Sequence, residues 1–368
     1  MANKSQPKLW VLTEEDIDAL EIGSAILGTG GGGNPYIGKL RAKQAMREGL
    51  KLQIMDVDDV DDDALVVSVG GIGAPVVGYE RLKEGREGLR CLRTLEDRLN
   101  FNAVAVVCEE IGGQNSMEPL ITAALAGLPV LDCDGMGRAF PEMQMVTFSI
   151  YGHRTTPSAL CDLHGNTVII DHAVSELWHE RMARAATVSQ GGASVLASAP
   201  MKGSFVKQYA IKHTYTQAIA LGRAVLKARA EFRDPVAAVA EQEKGKVVFT
   251  GKIQDLKRHL SKGFVFGEAH LNGIDAYEGD EGSIVIQNEN LIFRRNGKVE
   301  VVVPDLIIVL DVETGEAITT EMLQYGQRVA ILALPAPELL KTPEALEVVG
   351  PRAFGFDDVE YIPMSVER

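Results

Sequence analysis

Two aspartates, spaced two positions apart, are the residues whose type and spacing most directly suggest chemistry. Asp132 and Asp134 follow the apolar run Leu128–Leu131. If a strand continues through them, both carboxylates point to one face of the strand. Paired carboxylates raise one another's pKa or hold a metal ion, so either residue could act as a general base. The alternative for each is a helix-cap or turn aspartate, and the sequence leaves both interpretations open.

Other polar residues near the ends of apolar runs are candidates for the same site. Glu109 and Glu110 directly follow an apolar run and precede a double glycine. A charged pair in this position does not suit a core, so we expect one of the two to face a cleft, and Glu110 is nearer the turn. Arg138 could neutralise the aspartates or bind an anionic substrate through its guanidinium fork. Glu142 is a weaker candidate, and Asn115 could simply cap a helix.

A glycine-rich stretch, LGTGGGGNP at residues 27–35, is the second conspicuous feature. It precedes a predicted helix, whose N-terminus would favour an anion. The pattern also fits G-x-G-x-x-G, but a dinucleotide site needs a preceding strand, and residues 13–16 predict a helix start instead. No Lys-Ser/Thr pair follows, which excludes a P-loop. A turn that binds nothing is the alternative. The candidate substrate-binding residues here are Gly30, Gly31, Gly32, Gly33 and Asn34.

Histidines and cysteines offer little support for a metal site. His172, Glu176 and His179 have the spacing i, i+4 and i+7, so on a helix they would share one face and could bind zinc. The spacing is not that of H-E-x-x-H, and a solvated helix face explains it equally well. The four cysteines are widely spaced and contain no C-x-x-C, so neither a disulfide framework nor a cysteine zinc site is predicted. The cofactor is therefore unknown, and a divalent metal stays open.

The composition restricts the class of partner. The 368 residues carry 51 acidic against 37 basic side chains, a net charge of −14. Nucleic-acid binding needs a basic surface, so no nucleic-acid partner is expected. No run of about 18 apolar residues is present to span a membrane, and the N-terminus lacks an apolar signal core. The sequence therefore predicts a cytoplasmic protein that acts on a small molecule and has no membrane partner.

The surrounding elements would bring these candidates together. Apolar runs at residues 65–69, 103–108 and 128–131 predict strands that alternate with helices, which indicates parallel pairing. Polar and glycine-rich clusters at 70–75, 109–115 and 132–142 follow directly. The carboxyl ends of parallel strands line one edge of a sheet, where ligands bind. If the glycine-rich stretch folds back to that edge, one pocket contains all four segments, including Gly112 and Gly113.

The predicted fold class is α/β. Residues 1–165 are expected to form a domain with a mixed or parallel sheet and helices, and residues 166–368 a second domain that is β-rich after about residue 263. Helices are predicted at 171–186 and 215–232. The pair Asn296-Gly297 between two short apolar runs predicts a β-hairpin turn.

Three of these stretches together resemble a known family. They are ILGTGGGGNP at 26–35, EEIGGQN at 109–115 and DCDGMGRAFPE at 132–142. The chain resembles the DUF917 family, also called S-methyl thiohydantoin desulfurase-like, over most of its length. It is also similar to segments fused to hydantoinase-type proteins, which implies a five-membered cyclic imide as substrate. The resemblance implies hydrolytic loss of sulfide or a thiol from the ring carbon between two nitrogens.

The residues can be assigned roles in such a reaction. Asp132 or Asp134 would activate water, the N–H groups of Gly30–Gly33 would stabilise charge on the ring, and Arg138 would hold a substrate carboxylate. A divalent metal could substitute for the base. This hypothesis predicts that Asp132→Asn and Asp134→Asn fold normally and lose turnover.

Two other functions fit the same sequence. One is a non-catalytic binding or accessory subunit of a hydantoinase-type partner, which also explains the fusions. The other is an enzyme that binds a phosphorylated ligand or nucleotide at the glycine-rich stretch, in which case nucleotide should stabilise the protein against heat. A homo-oligomer is expected only because most soluble oligomers are built from identical chains.

Overall fold

The computed structural model describes residues 8–74, 77–261 and 264–364. Within these ranges, the strands of a first sheet are β1 (Leu9–Val11), β2 (Gln53–Met55), β3 (Leu65–Gly73), β4 (Ala105–Cys108), β5 (Val130–Asp134), β6 (Ser158–Cys161), β7 (Thr167–Ile170), β8 (Ala193–Ala197), β9 (Met201–Lys202) and β10 (Ile211–Lys212). A second sheet contains β11 (Lys246–Ser261), β12 (Phe264–Gly273), β13 (Glu281–Gln287), β14 (Glu289–Arg295), β15 (Lys298–Val302), β16 (Leu306–Asp311) and β17 (Arg328–Leu334).

The helices of the described ranges are interspersed among the strands of the first sheet and flank those of the second. They are α1 (Glu14–Leu27), α2 (Tyr36–Arg47), α3 (Val77–Glu80), α4 (Glu87–Leu99), α5 (Met117–Ala126), α6 (Thr147–Ile150), α7 (Glu176–Ser189), α8 (Gly203–Tyr209), α9 (Thr214–Ala230), α10 (Pro235–Glu243) and α11 (Pro343–Val349). Within this described part of the chain, no helix is both long and apolar enough to cross a membrane.

The first sheet is mixed, as predicted. Its strand order is β1-β2-β5-β4-β3-β8-β6-β7, with β9 and β10 added beside β3 and β5. The central strands β2, β5, β4 and β3 are parallel, and the remaining pairs are antiparallel. Every residue of β4 and β5 is buried, because helices cover both faces of parallel strands. The carboxyl ends of β3, β4 and β5 therefore meet at one edge.

Strand β3 is longer than the apolar run that predicts it. The prediction ends at Val69, whereas the strand continues to Gly73 because residues 69–73 pair with β8 in antiparallel register. Residues 70–73 thus belong to a strand and not to a loop beyond its end. A Cβ atom at Gly71 would lie 2.9 Å from Oδ1 of Asn115, so glycine here permits close packing.

Helix α1 leads into the glycine-rich stretch. Its start is predicted correctly: Thr13 Oγ1 accepts from Asp16 N, and the Asp16 carboxylate accepts from Thr13 N, which is a capping box. Glycine allows α1 to lie directly against α9, because a Cβ at Gly23 would be 1.7 Å from Ala218 O. This contact places the end of α1, and the loop after it, beside the sheet edge.

Helix α7 begins later than predicted. Ser175 caps it by accepting from Trp178 N, so the helix starts at Glu176 and His172 lies outside it. The predicted helix face shared by His172, Glu176 and His179 is therefore wrong. The ring of His179 is buried and contacts hydroxyls of Thr155 at 2.7 Å and Ser158 at 2.6 Å. Its burial explains why it needs these two polar partners.

The second sheet is antiparallel, in the order β15-β14-β13-β12-β11-β17-β16. The β-rich region predicted after residue 263 is confirmed, although its first strand already begins at Lys246. Asn296 and Gly297 form the predicted hairpin turn between β14 and β15, with φ of 51° and 77°. Buried side chains of α1, β3 and β16 belong to one hydrophobic cluster, so the second sheet packs against the core of the first.

Candidate functional site

A pocket lies where the sheet edge meets the second sheet, and its volume is about 170 Å³. The four predicted segments all contribute to its wall, and the second sheet with its following loops contributes a fifth side. Among the described residues, the wall includes Gly31, Gly32, Gly33, Gly70, Gly71, Ile72, Gly73, Ala74, Lys83, Glu109, Glu110, Gln114, Asn115, Met136, Phe140, Pro141, Glu142, Met143, Arg184, Ala193, Ser194, Leu196, Val265, Asn288, Glu289, Thr320 and Glu321.

The glycine-rich stretch is held by close contact with the loop after β4. Gln114 N donates to the carbonyls of Gly32 at 2.9 Å and Gly33 at 3.2 Å. A Cβ at Gly32 would lie only 2.3 Å from Gly112 O, and one at Gly113 would lie 2.5 Å from Gly32 O. Gly112 and Gly113 are outside the pocket wall. Their function is to let two backbones touch, and no substrate-binding role follows from their positions.

The second sheet holds the same stretch from the other side. Asn290 N donates to Thr29 O at 2.9 Å, and Thr320 N donates to Gly30 O at 2.8 Å. Gly30 therefore faces the second sheet and not the pocket. Within the described chain, the N–H groups of Gly32 and Gly33 have no protein acceptor, and both residues line the pocket. These two N–H groups are free to bind an oxygen or nitrogen of a ligand.

Asn34 has a local role. Its Oδ1 accepts from Tyr36 N at 2.8 Å at the start of α2. The N-cap position of α2 is Pro35, which makes no side-chain capping bond, so the Asn34 side chain forms a local turn one residue before the cap. Asn34 is not part of the pocket wall, so its observed contact is this turn, and the structure offers no contact for a substrate.

Asp132 caps α9 and does not face the pocket. One carboxylate oxygen accepts from Tyr215 N at 3.0 Å and Thr216 N at 3.1 Å, and the other accepts from Thr216 Oγ1 at 2.6 Å. These partners satisfy free N–H groups at the start of a helix. The alternative reading of Asp132 as a helix cap is thus the one that the structure supports.

Asp134 is also a structural anchor. Its carboxylate accepts from Ile111 N at 2.8 Å, Gly137 N at 2.8 Å and Met136 N at 3.1 Å. It therefore ties the loop after β4 to the loop after β5. Burial raises the pKa of Asp134 to about 7, in spite of these N–H donors. Asp132 and Asp134 therefore bind different elements, and neither belongs to the pocket wall.

Arg138 is completely buried, so it cannot reach a substrate in the pocket. Its Nη1 donates to the carbonyls of Pro304 at 2.9 Å and Asp305 at 3.1 Å, and its Nη2 donates to Thr29 Oγ1 at 2.8 Å. Burial lowers the pKa of this guanidinium to about 10. The predicted substrate-binding fork is instead a link between the loop after β5, the glycine-rich stretch and the second sheet.

Glu110 is the sequence-predicted carboxylate that does line the pocket. Asn115 Nδ2 donates to its Oε1, and Phe140 N donates to its Oε2 at 3.4 Å. Asn115 is itself fixed, because Gly71 N donates to its Oδ1 at 2.7 Å. Burial raises the pKa of Glu110 to about 8, and the donors only partly oppose this effect. A carboxyl with such a pKa can exchange protons near neutral pH.

Glu109 lines the pocket as well. We expected only one of Glu109 and Glu110 to face a cleft, whereas both do. Its Oε1 accepts from Ser68 Oγ at 3.0 Å and Ser198 Oγ at 2.9 Å. Burial raises its pKa, while the two hydroxyl donors oppose the rise. Ser198 follows β8, and Ala193, Ser194 and Leu196 of β8 line the pocket, so strands on both sides of β3 contribute to this part of the wall.

Glu142 contributes to the rim of the pocket, where Gln144 Nε2 donates to its carboxylate. Two cations also line the wall, and each already has a carboxylate partner. Lys83 pairs with Glu118 at 2.7 Å, and Arg184 pairs with Glu180. Neither cation is therefore a free binding group for an anionic substrate.

The sequence reasoning missed the residues that the second sheet adds. Asn288, Glu289, Thr320 and Glu321 are more than 140 positions from the other candidates. The run QNEN at 287–290, a polar cluster between two apolar strands, was the available signal. Nothing in the spacing of residues indicated that this turn meets the glycine-rich stretch. Within the described residues, no group of three or more His, Cys, Asp or Glu side chains could hold a metal ion.

Comparisons with known proteins agree with this architecture. Family models described as "S-Me-THD-like, N-terminal domain" and "S-Me-THD-like, C-terminal domain" match residues 15–172 and 174–364. An X-ray crystal structure of a protein from Chromobacterium violaceum matches with a TM-score of 0.81 and 23% sequence identity, over 96% of this chain and 99% of that chain. At that identity the likeness shows the fold. No curated protein has a significant match to the chain.

Proposed function

Because the chain belongs to the S-methyl thiohydantoin desulfurase-like family, we propose that it hydrolyses a five-membered thiohydantoin or S-methyl thiohydantoin ring, releasing sulfide or a thiol. The observation that carries this proposal is Glu110. It is a pocket carboxyl whose pKa is raised to about 8, and Asn115 and Phe140 N orient it. The base role assigned from sequence to Asp132 or Asp134 moves to Glu110, since neither aspartate faces the pocket.

The reaction needs a base, a site for negative charge and a proton for the departing sulfur. The Glu110 carboxylate takes a proton from water while the water oxygen bonds to the ring carbon between the two nitrogens. The π pair of the C=N bond moves to the ring nitrogen. When the C–S bond breaks, its electron pair leaves with the sulfur, which then takes up a proton. As the C–S bond breaks, the O–H pair of the new hydroxyl becomes the carbonyl π bond, and its proton goes to the ring nitrogen that received the C=N pair. With the S-methyl ring the products are the hydantoin and methanethiol, and one water is consumed.

The glycine-rich stretch can provide the site for negative charge that the reaction needs. The N–H groups of Gly32 and Gly33 have no protein acceptor in the described chain, and both residues line the same pocket as Glu110. Fixed backbone donors that meet developing charge stabilise a transition state without reorganising. In this mechanism the two N–H groups bind the ring nitrogen or carbonyl oxygen on which charge accumulates.

Thiol release tests the proposal directly. Purified protein is mixed with thiohydantoin and S-methyl thiohydantoin, before and after chelator treatment, and free thiol is measured. We expect release in both samples. Release that disappears with chelator and returns with added metal would show that a divalent metal, left open above, supplies the activated water.

The substitution Glu110→Gln removes the proposed base from the pocket. Gln keeps the shape and one acceptor but cannot take a proton, so we expect kcat to fall by about 100-fold or more. In the wild type, kcat/KM should rise with pH through about 8, because the base must be deprotonated. The exposed Glu241→Gln on α10 serves as the matched control and should retain wild-type activity. Wild-type turnover in Glu110→Gln would reject this base.

The binding-subunit alternative has a different signature. It predicts no thiol release by the isolated chain and stable co-purification with a hydantoinase-type partner. The combination of no release and a thermal shift with nucleotide would instead favour the phosphorylated-ligand enzyme. The thiol assay and the two binding assays therefore separate the three functions.

A further inference from the structure

The pocket contains a second buried carboxyl that comes from the other sheet. We propose that Glu289 is the acid of the same reaction, protonating the departing sulfur while Glu110 activates water. This inference rests on the proposed function and adds a catalytic residue to it. It follows from the position of Glu289, from the lack of a partner for one of its oxygens, and from the contact that it makes with the glycine-rich stretch.

A tightly held hairpin tip carries Glu289 into the pocket. Asn288, with φ of 57°, connects β13 to β14, and its side chain accepts from Val265 N at 2.8 Å. The next residue after Glu289, Asn290, donates its N–H to Thr29 O at 2.9 Å and its Nδ2 to Ile307 O at 3.0 Å. Bonds on both sides of Glu289 therefore fix the backbone from which its side chain extends.

The carboxyl itself lies against the backbone of the glycine-rich stretch. A Cβ atom at Gly31 would be 1.9 Å from Glu289 Oε1, so only glycine leaves room for this side chain. Glu289 is 2% exposed, yet it lines the pocket. Within the described residues, its Oε2 has no hydrogen-bond partner. A buried carboxyl oxygen without a partner is costly and calls for an explanation, and a bound substrate would supply the missing partner.

The electrostatic surroundings favour the protonated form of this group. Burial raises the pKa of Glu289, and the negative charge of Glu110 raises it further, while Arg138 opposes the rise. Two buried carboxyls that repel each other do not both ionise readily, so the pair tends to retain one proton. That arrangement supplies one acid and one base at the same pH, as the reaction requires.

Glu110 and Glu289 return to their starting protonation states within one turnover. Water gives a proton to Glu110 as its oxygen bonds to the ring carbon. The C–S bond breaks, its electron pair moves to sulfur, and the Glu289 O–H proton joins that sulfur to form the thiol. Glu110 is then protonated and Glu289 ionised. Transfer of one proton from Glu110 to Glu289, directly or through solvent, restores the starting state.

The alternative is that Glu289 only balances the buried charge of Arg138. A substrate series distinguishes the two roles. The S-methyl ring loses a weakly acidic thiol, which needs a proton as it departs. The S-(2,2,2-trifluoroethyl) ring loses a more acidic thiol that can depart as the thiolate. If a residue protonates the sulfur, its loss should lower kcat much more for the S-methyl ring than for the trifluoroethyl ring.

The test measures kcat for both substrates with Glu289→Gln, using exposed Glu281→Gln from the same hairpin as the matched control. We expect Glu289→Gln to lose about 100-fold or more with the S-methyl ring and less than about 5-fold with the trifluoroethyl ring. The control should turn over both. Retained trifluoroethyl turnover also demonstrates that the variant is folded. Equal losses with both substrates, or no loss, would overturn the assignment.

A second variant covers the case in which Glu289→Gln fails to fold. Gly31→Ala leaves Glu289 in place but pushes its carboxyl aside, and Gly31 is not among the glycines with positive φ, so its backbone accepts alanine. We expect the same selective loss with the S-methyl ring, and equal losses would again overturn the inference. If the wild type turns over neither substrate, the proposed function itself fails. If Glu110→Gln abolishes turnover and Glu289→Gln does not lower it, the proposed function stands and the acid role of Glu289 is rejected.

Discussion

Asp134 and Glu110 are both buried carboxyls with raised pKa values, but their oxygens have different neighbours. Asp134 accepts from three backbone N–H groups and lies outside the pocket wall, whereas Glu110 faces the pocket and accepts from one side chain and one N–H group. A carboxylate whose hydrogen bonds all come from the backbone is suited to anchoring loops. A carboxylate that lines the pocket is suited to exchanging protons with a substrate. The surroundings thus separate two similar side chains into two roles.

A stability measurement tests the anchoring role of Asp134. In Asp134→Asn, one carboxylate oxygen becomes an NH2 donor, and Gly137 N, which lies 3.0 Å from Oδ1 and 2.8 Å from Oδ2, then faces a buried donor in place of an acceptor. We expect the free energy of unfolding to fall by about 1–3 kcal/mol in denaturant titration. The exposed Asp357→Asn should leave it unchanged. Asp134→Asn with wild-type stability and no turnover would restore the original assignment of this aspartate as the base.

At the scale of elements, the glycine-rich stretch depends on backbone contact for its shape. It packs against Gly112 and Gly113 on one side and against the tip of the β13–β14 hairpin on the other. A run of glycine costs conformational entropy, and these close approaches are the benefit that offsets the cost. The same contacts leave the N–H groups of Gly32 and Gly33, two residues of the pocket wall, without a protein acceptor among the described residues.

Two glycine substitutions isolate this packing. Gly32 and Gly49 both have positive φ, of 71° and 88°. A left-handed residue with a Cβ costs about 1–2 kcal/mol, so Gly49→Ala should lower the free energy of unfolding by that amount. Among the described residues, a Cβ at Gly49 meets no atom within 4 Å, whereas one at Gly32 lies 2.3 Å from Gly112 O.

We therefore expect Gly32→Ala to be clearly more destabilising than Gly49→Ala and to lower thiol release as well. Thermal melts and denaturant titrations of the two variants provide the comparison. Equal losses of stability would mean that the loop after β4 moves away freely, which would contradict the tight packing described for this stretch.

At the scale of the whole molecule, the pocket depends on contact between the two sheets. Arg138 links the loop after β5 to Thr29 and to carbonyls next to β16, and the hairpin tip places Glu289 beside Gly31. Burial of several carboxyls in this junction is unfavourable for their charged forms. Stability of the whole chain should therefore depend on pH.

The direction of that dependence follows from the pKa shifts. Glu109, Glu110, Asp134 and Glu289 all have raised pKa values in the folded state. Between about pH 4 and 8 these four carboxyls therefore bind more protons in the folded state than in the unfolded state, and their contribution to the free energy of unfolding falls as pH rises. Glu118 acts oppositely, because Arg41 and Lys83 lower its pKa against the effect of burial, and its contribution is lost below about pH 4.5.

Denaturant titrations at pH 5.5 and 8 test this expectation. The wild type should be less stable at pH 8, and Glu110→Gln should show a smaller difference because one of the titrating groups is absent. A wild type that gains stability between these pH values would show that the pocket carboxyls ionise at ordinary pKa values. Such a result would also weaken the acid and base roles proposed for Glu110 and Glu289.

The sequence by itself determined the local features of this protein. Buried strands, helix caps and the Asn296-Gly297 turn depend on neighbouring residues, so their patterns are visible in a single chain. The family resemblance and the mixed sheet were also predicted from the sequence. The rule that ligands bind beyond the carboxyl ends of parallel strands correctly brought four distant segments to one pocket.

The tertiary structure alone decided which carboxylates face that pocket. Asp132 became a helix cap because α9 begins beside it, although α9 is more than 80 residues away in sequence. Glu289 became a pocket residue because a hairpin from the second sheet binds the glycine-rich stretch. The orientation and protonation of a side chain depend on partners supplied by distant parts of the chain, and those partners are fixed only when the elements pack.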